Sequence, residues 1–227
     1  MIPYRISPLG INNRHPLTLT AVENSTVTLS AVGTMSISTL YYRTSSNPAW
    51  QLYNAGTQVS LSAGQNIQFW NKASTFSSSD ANYLQFSMTG KIAASGNIMS
   101  LLDFGSTLHN YCFNFLFYNC AALVSAPQLP AKVLPRQCYW NMLRGTYITS
   151  VKISGVTLSG AYSMGYMLTG CPLTSIEVDF TEWTDNAGQF AYWVTGVPSG
   201  GTFIKPYALP EEYGVRRIPD GWTVINK

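Results

Sequence analysis

The densest group of carboxylates in this 227-residue chain is Glu177, Asp179, Glu182 and Asp185. Glycoside hydrolysis needs two carboxyls flanking a sugar, one of them held protonated to serve as the acid. On a strand, Glu177 and Asp179 would share a face about 7 Å apart by rise alone. Any strand with an alternating polar face gives the same spacing, so the pair assigns neither hydrolysis nor calcium binding. His15 and His109 are the only histidines, too few for an acid–base relay, and each reads as a polar surface residue. Cys112, Cys120, Cys138 and Cys171 contain no Cys-x-x-Cys pair, and with two histidines they make no zinc set. They read as reduced, buried, small apolar side chains, with a Cys112–Cys138 disulfide left open. No Gly-x-Ser-x-Gly elbow, P-loop or dinucleotide fingerprint is present. The reading is of a protein that is not an enzyme, with no catalytic residue, cofactor or metal site assigned.

Aromatic residues offer a different chemistry, that of contact. Tyr, Phe and Trp make up 13% of the chain, and exposed rings stack on sugars or anchor protein partners. Most read as core. Trp140 and Trp183 fall outside the recurring anchor positions described below, which makes them the candidates for surface or glycan contact. A net charge of +3 is too weak for a phosphate-tracking surface, so nucleic acid is not an expected partner. Charged residues are only 10%, against about 25% in an average soluble domain. Polarity comes instead from 24 Ser and 21 Thr, as in many extracellular and virion β proteins. No apolar run approaches the roughly 20 residues of a membrane span. The opening residues also lack the apolar stretch of a secretory signal, so a route outward other than a cleaved signal is expected.

The elements that must position these residues divide the chain into four parts. Residues 1–16, with prolines at 3, 8 and 16, read as an extended anchoring arm. Residues 17–89 read as strands, because apolar residues alternate at Leu17/Leu19/Ala21, Val27/Leu29, Leu40/Tyr42, Trp50/Leu52, Val59/Leu61, Ile67/Phe69 and Leu84/Phe86/Met88. Seven short strands at this spacing predict a β-sandwich, immunoglobulin-like in architecture only, since the Cys–Trp–Cys signature is missing. Residues 90–199 repeat. Phe117, Leu143, Leu168 and Val194 are separated by 26, 25 and 26 residues, with Leu123-x-Ser125, Ile148-x-Ser150 and Leu173-x-Ser175 recurring in phase. Such a period predicts a stacked solenoid, a short helix and a strand per repeat, with those four residues as an internal ladder. Asn119, Gly145, Gly170 and Gly196 then close each turn in the left-handed conformation. Ile98-Met99-Ser100-Leu101-Leu102 has helical spacing and should cap the stack. Residues 200–227 read as a C-terminal β cap with strands at Thr202-Phe203-Ile204 and Trp222-Thr223-Val224-Ile225. The fold class is mostly β.

The segment Leu116-Phe117-Tyr118-Asn119-Cys120-Ala121-Ala122-Leu123-Val124-Ser125-Ala126-Pro127-Gln128-Leu129-Pro130-Ala131 resembles the BspA-like leucine-rich repeat, roughly M-F-x-x-C-x-x-L-x-x-A-P-x-L-P-A. Residues 200–224 look like the module that often follows such repeats, and Phe86 to Leu102 like the segments that precede them. The likeness spans residues 84–227 and weakens after the first repeat, where Thr146 replaces the cysteine and Val151-Lys152-Ile153-Ser154 replaces the A-P-x-L-P-A stretch. Members of that family are mostly surface-exposed or phage-encoded proteins of gut Bacteroidetes. The resemblance therefore implies adhesion or attachment and brings no catalytic residues.

Arm, sandwich and repeat stack together suggest a phage virion appendage of head or tail. Ile2, Tyr4, Ile6 and Leu9 would anchor the arm in another virion protein, and the repeats would face host glycan or surface protein. A bacterial cell-surface adhesin or glycan-binding module is the alternative. Fibre-like appendages are often trimers, so a homotrimer is the oligomer suggested by analogy.

Overall fold

Period-two alternation in the front half forms strands throughout. The computed structural model describes residues 15–227, so the arm anchors Ile2, Tyr4, Ile6 and Leu9 lie outside the described residues. Strand β1 (Leu17–Ala21) buries every second residue, as alternation requires. It is followed by β2 (Ser25–Val32), β3 (Leu40–Thr44), β4 (Gln51–Leu52), β5 (Gln58–Leu61), β6 (Asn66–Asn71), β7 (Tyr83–Thr89) and β8 (Ile92–Ser95). The first seven are the segments that alternation marks. One sheet runs β4-β3-β6-β1-β8 and the other β5-β2-β7, each antiparallel. Phe69 on β6 meets Phe86 on β7 with ring centroids 5.2 Å apart, joining the two sheets. The order is not that of an immunoglobulin domain, whose first strand lies beside its second. Here β1 sits between β6 and β8, because the short connection from Ala21 to Ser25 delivers β2 to the opposite sheet.

The second half is a parallel β-solenoid. β8 pairs in parallel with β9 (Leu123–Ser125), so the front sheet continues into the stack. Beyond it come β10 (Val133–Leu134), β11 (Ser150–Ile153), β12 (Thr157–Leu158), β13 (Ser175–Val178), β14 (Thr202–Lys205) and β15 (Thr223–Asn226). They form the parallel sets β10-β12 and β11-β13-β14-β15. The two expected cap strands are β14 and β15.

No α-helix occurs among the described residues. The lead-in Ile98–Leu102 is a 3-10 helix, capped by the Asn97 side chain accepting from the Met99 N–H. The helix expected in each repeat is replaced by a ribbon of turns, residues 111–119, 137–145, 162–170 and 188–196. In the first ribbon the N–H groups of Tyr111, Phe113, Phe115, Phe117 and Asn119 donate to carbonyls of Arg136, Cys138, Trp140, Met142 and Arg144 on the next rung. The N–H groups between them donate three residues back within the ribbon. Every second amide thus ties rungs together, as in a sheet, while the others hold a turn, and no donor in the run is orphaned. Turning the chain this way needs a left-handed residue every fourth position: Tyr111, Phe115 and Asn119, then Gln137, Asn141 and Gly145, then Tyr162, Tyr166 and Gly170. Helix and ribbon share the short i to i−3 spacing, which is why the sequence pattern predicts the wrong one.

The anchor column stacks in register. Phe117 N–H donates to Met142 O at 2.9 Å, Leu143 to Met167 at 3.2 Å, and Leu168 to Trp193 at 2.8 Å. All four anchor residues are buried, and Phe86 lies flat on Phe117 at 5.1 Å as an extra rung contributed by β7. A second column holds Cys120, Thr146 and Cys171, with Thr146 Oγ1 and Cys171 Sγ 3.4 Å apart. One continuous apolar cluster runs from Leu17 to Trp222.

Candidate functional site

Glu177 and Asp179 sit on one side of β13 and just beyond its end, and both are occupied by lysines. Lys227 Nζ lies 2.6 Å from Glu177 Oε1 and 2.7 Å from Asp179 Oδ1. Lys152 binds Glu177 at 2.8 Å and Lys132 binds Asp179 at 3.3 Å. Hydrogen bonds from Lys152 and Lys227 hold the Glu177 carboxyl below its usual range. Burial pushes Asp179 upward, yet its bonds to Lys227 and Lys132 outweigh that and leave it lowered as well. Two carboxylates both held ionised supply no acid for glycoside hydrolysis. Asp185 pairs instead with Arg216 and Arg217.

The remaining reactive residues serve as structure. His109 Nε2 accepts from the Phe76 N–H at 3.2 Å, while Nδ1 faces the Asn110 carbonyl at 2.8 Å. The ring thereby pins the start of the first repeat to the loop after β6. His15 is exposed and its carbonyl accepts from the Asn97 N–H. All four cysteines are free and buried, and Cys112 and Cys138 are not joined by a disulfide. Burial raises every one of these thiols, Cys120 to about 12, so none is a ready thiolate. Among the described residues no cluster of three His, Cys, Asp or Glu could hold a metal ion, and no helix is long and apolar enough to cross a membrane.

Trp140 and Trp183 are both half-buried. Trp140 packs edge-on against Phe115 at 5.0 Å, and its indole N–H is buried with no acceptor. Trp183 donates to Pro210 O at 2.9 Å, packs against Phe180 and Phe190, and lies beneath the Arg217 guanidinium. The more exposed rings lie elsewhere. Outward positions of the ribbons form a strip in which Arg144 lies over Tyr118 at 5.7 Å and over Tyr166 at 5.5 Å. Tyr166 stacks on Tyr192 at 5.3 Å, and Arg216 covers Tyr192 at 5.6 Å. Tyr162 and Tyr192 remain 43% and 44% exposed. The left-handed backbone turns these rings outward, a signal that reading the segment as helix conceals.

A groove of about 500 Å³ opens on the parallel sheet between residues 126–130 and 150–154, with Ser175 and Glu177 beside it. Its two walls are bonded at both ends. Tyr147 N–H donates to Leu123 O at 2.9 Å, and Ser154 N–H to Leu129 O at 3.3 Å, with Leu129 bridging Ile153. Between those points no backbone hydrogen bond crosses. In this register Pro127 stands opposite Val151, where a parallel strand would donate to Ser150 O. Proline has no N–H to give. Gln128 faces the other neighbour, donating to Gly96 O and accepting from Ile98 N–H. Sequence reasoning noted the Pro127 motif and missed its consequence, which depends on what lies across from it.

No family model, characterised protein or solved structure matches the chain.

Proposed function

We propose that this chain is a non-enzymatic structural or attachment protein of a phage virion, a head or tail appendage whose repeats face host-surface glycan or protein. The observation that carries the reading is the outward strip of the ribbons. Two outward ribbon positions, one holding Tyr118 and Arg144 and the other Tyr166 and Tyr192, meet Arg216 of the C-terminal cap in a run of tyrosine and arginine, side chains suited to contact. The resemblance of residues 116–131 to the BspA-like repeat supports attachment as the role. In this reading residues 1–16 insert into a neighbouring virion protein through Ile2, Tyr4, Ile6 and Leu9. Trp140 and Trp183 are further candidate contact residues in this reading.

The deciding experiment locates the chain by mass spectrometry and immunogold imaging in purified particles and in host membrane fractions. Recovery in particles at fixed stoichiometry is the expected result. Recovery in the bacterial outer surface alone would replace the virion reading with that of a cell-surface adhesin.

A further inference from the structure

We propose that the row of tyrosine and arginine on the ribbons is a binding site for an acidic polysaccharide, one whose sugars carry carboxylates. The assignment deepens the attachment reading above and rests on it for its biological role.

Charge is distributed unevenly around the stack. From 104 to 176 the chain holds four cations, Lys132, Arg136, Arg144 and Lys152, and no Asp or Glu. The two lysines reach Asp179 and Glu177 on the sheet side. The two arginines find only side-chain amides. Arg136 Nε donates to Gln137 Oε1 at 3.3 Å, and Arg144 donates to Asn141 Oδ1 at 3.1 Å. Neither has a carboxylate partner among the described residues. Positive charge is thus neutralised on the sheet and left over on the ribbons. Arg216 adds a guanidinium whose side chain is 47% exposed and only loosely paired with Asp185, at 3.4 Å.

Stacking decides which atoms a ligand would meet. Tyr118, Arg144, Tyr166 and Tyr192 come from successive rungs, and Arg216 from the cap that follows them. Arg144 is flanked by Tyr118 and Tyr166, Tyr166 by Arg144 and Tyr192, and Tyr192 by Tyr166 and Arg216. The faces of Tyr166 and Tyr192 are covered on both sides, so neither can receive a sugar ring. The phenol hydroxyls of Tyr118, Tyr166 and Tyr192 make no hydrogen bond among the described residues and are not buried. What the row leaves to solvent is its rim of hydroxyls and guanidinium N–H groups.

That rim suits an anion. A guanidinium only donates, through a planar fork that matches a carboxylate, and hydroxyls beside it can donate to the same oxygens. The tyrosines on either side hold Arg144 in place, so less side-chain freedom is lost on binding. Arg144 and Arg216 stand three rungs apart, roughly 14 Å at the spacing of neighbouring strands. A polymer with a carboxylate on every unit can engage both, and the linkage raises its affinity above that of a single sugar.

The test uses the full chain, titrated by calorimetry and NMR with hexagalacturonate and with its methyl ester, the same oligosaccharide without charge. The acid should bind at least about tenfold more tightly than the ester, weaken as salt rises, and shift the amide signals of Arg144 and Tyr166. Arg144→Gln should weaken its binding by about tenfold or more, whereas Lys152→Gln, on the sheet side, should change it by less than about twofold. Equal affinity for acid and ester overturns the proposal. So does undiminished binding by a folded Arg144→Gln variant, or an equal loss in Lys152→Gln. Competition at equal strength by a hexaglutamate peptide would give the row to an acidic protein instead. Should Arg144→Gln fail to fold, unshifted Arg144 and Tyr166 amides in the saturated native chain are decisive against the site. A chain found on particles that does not tell acid from ester loses this ligand alone. One that prefers the acid but is absent from particles loses the location alone.

Discussion

Lys227 bonds two carboxylates at once, and that arrangement shapes how the protein responds to acid. Glu177 and Asp179 are held low, so the stability they contribute is present above the ordinary carboxylate value of about 4 and is lost as pH falls through their folded values. Burial alone would lower Lys227, but its bonds to Asp179 and Glu177 raise it. Its contribution is therefore present below about pH 10.5 and lost above it. Urea midpoints should be level from about pH 5 to 8 and fall on both sides, the alkaline fall led by the four buried thiols, which ionise more readily once unfolded, and Lys227→Met should flatten the acid edge. A steep midpoint change between pH 6 and 8 would contradict this. Two glycines separate strain from collision. Gly170 has φ +73° with open space around it, so Gly170→Ala should cost about 1 kcal/mol of backbone strain. A Cβ on Gly160 would fall on the Arg136 backbone nitrogen, so Gly160→Ala should cost several times as much or abolish folding. Thermal melts of the two variants check the ranking.

Among the elements, the ladder columns carry the load of the back half. Phe117 is fully buried between Phe86 and the Leu143 rung, and Phe117→Ala should cost about 3–5 kcal/mol by denaturant titration. Arg144, shared by two tyrosines, is a surface element, and Arg144→Ala should cost no more than about 1–2 kcal/mol. The columns were legible in the sequence because burial at Phe117, Leu143, Leu168 and Val194 selects apolar residues at each rung whatever the backbone does between them. The front strands were legible for the same reason, since Leu17, Leu19 and Ala21 must all face inward. The ribbons were not. Phe115 and Tyr166 adopt left-handed backbone, which aromatic residues disfavour in isolation, and their N–H groups are held by carbonyls of the next rung, Trp140 and Ala191. The groove was illegible for a related reason. Pro127 forfeits a bond only because Ser150 lies across from it, and that pairing belongs to the stack.

At the scale of the molecule, sandwich and solenoid share β8, the Phe86–Phe117 stack and a single apolar cluster. The described chain should therefore unfold as one unit, with hydrogen exchange at β6 and β13 reporting the same denaturant midpoint. Two separated midpoints would show that the halves are independent. Such a build has an evolutionary consequence. Main-chain groups bind one ribbon to the next, while the Tyr162 and Tyr192 side chains lie on the exposed side of the ribbons. Those two sites can be rewritten among residues that accept a left-handed backbone, one exposed letter at a time, with little demand on the interior. A lineage pressed to keep altering what it touches would find its alphabet already laid out there.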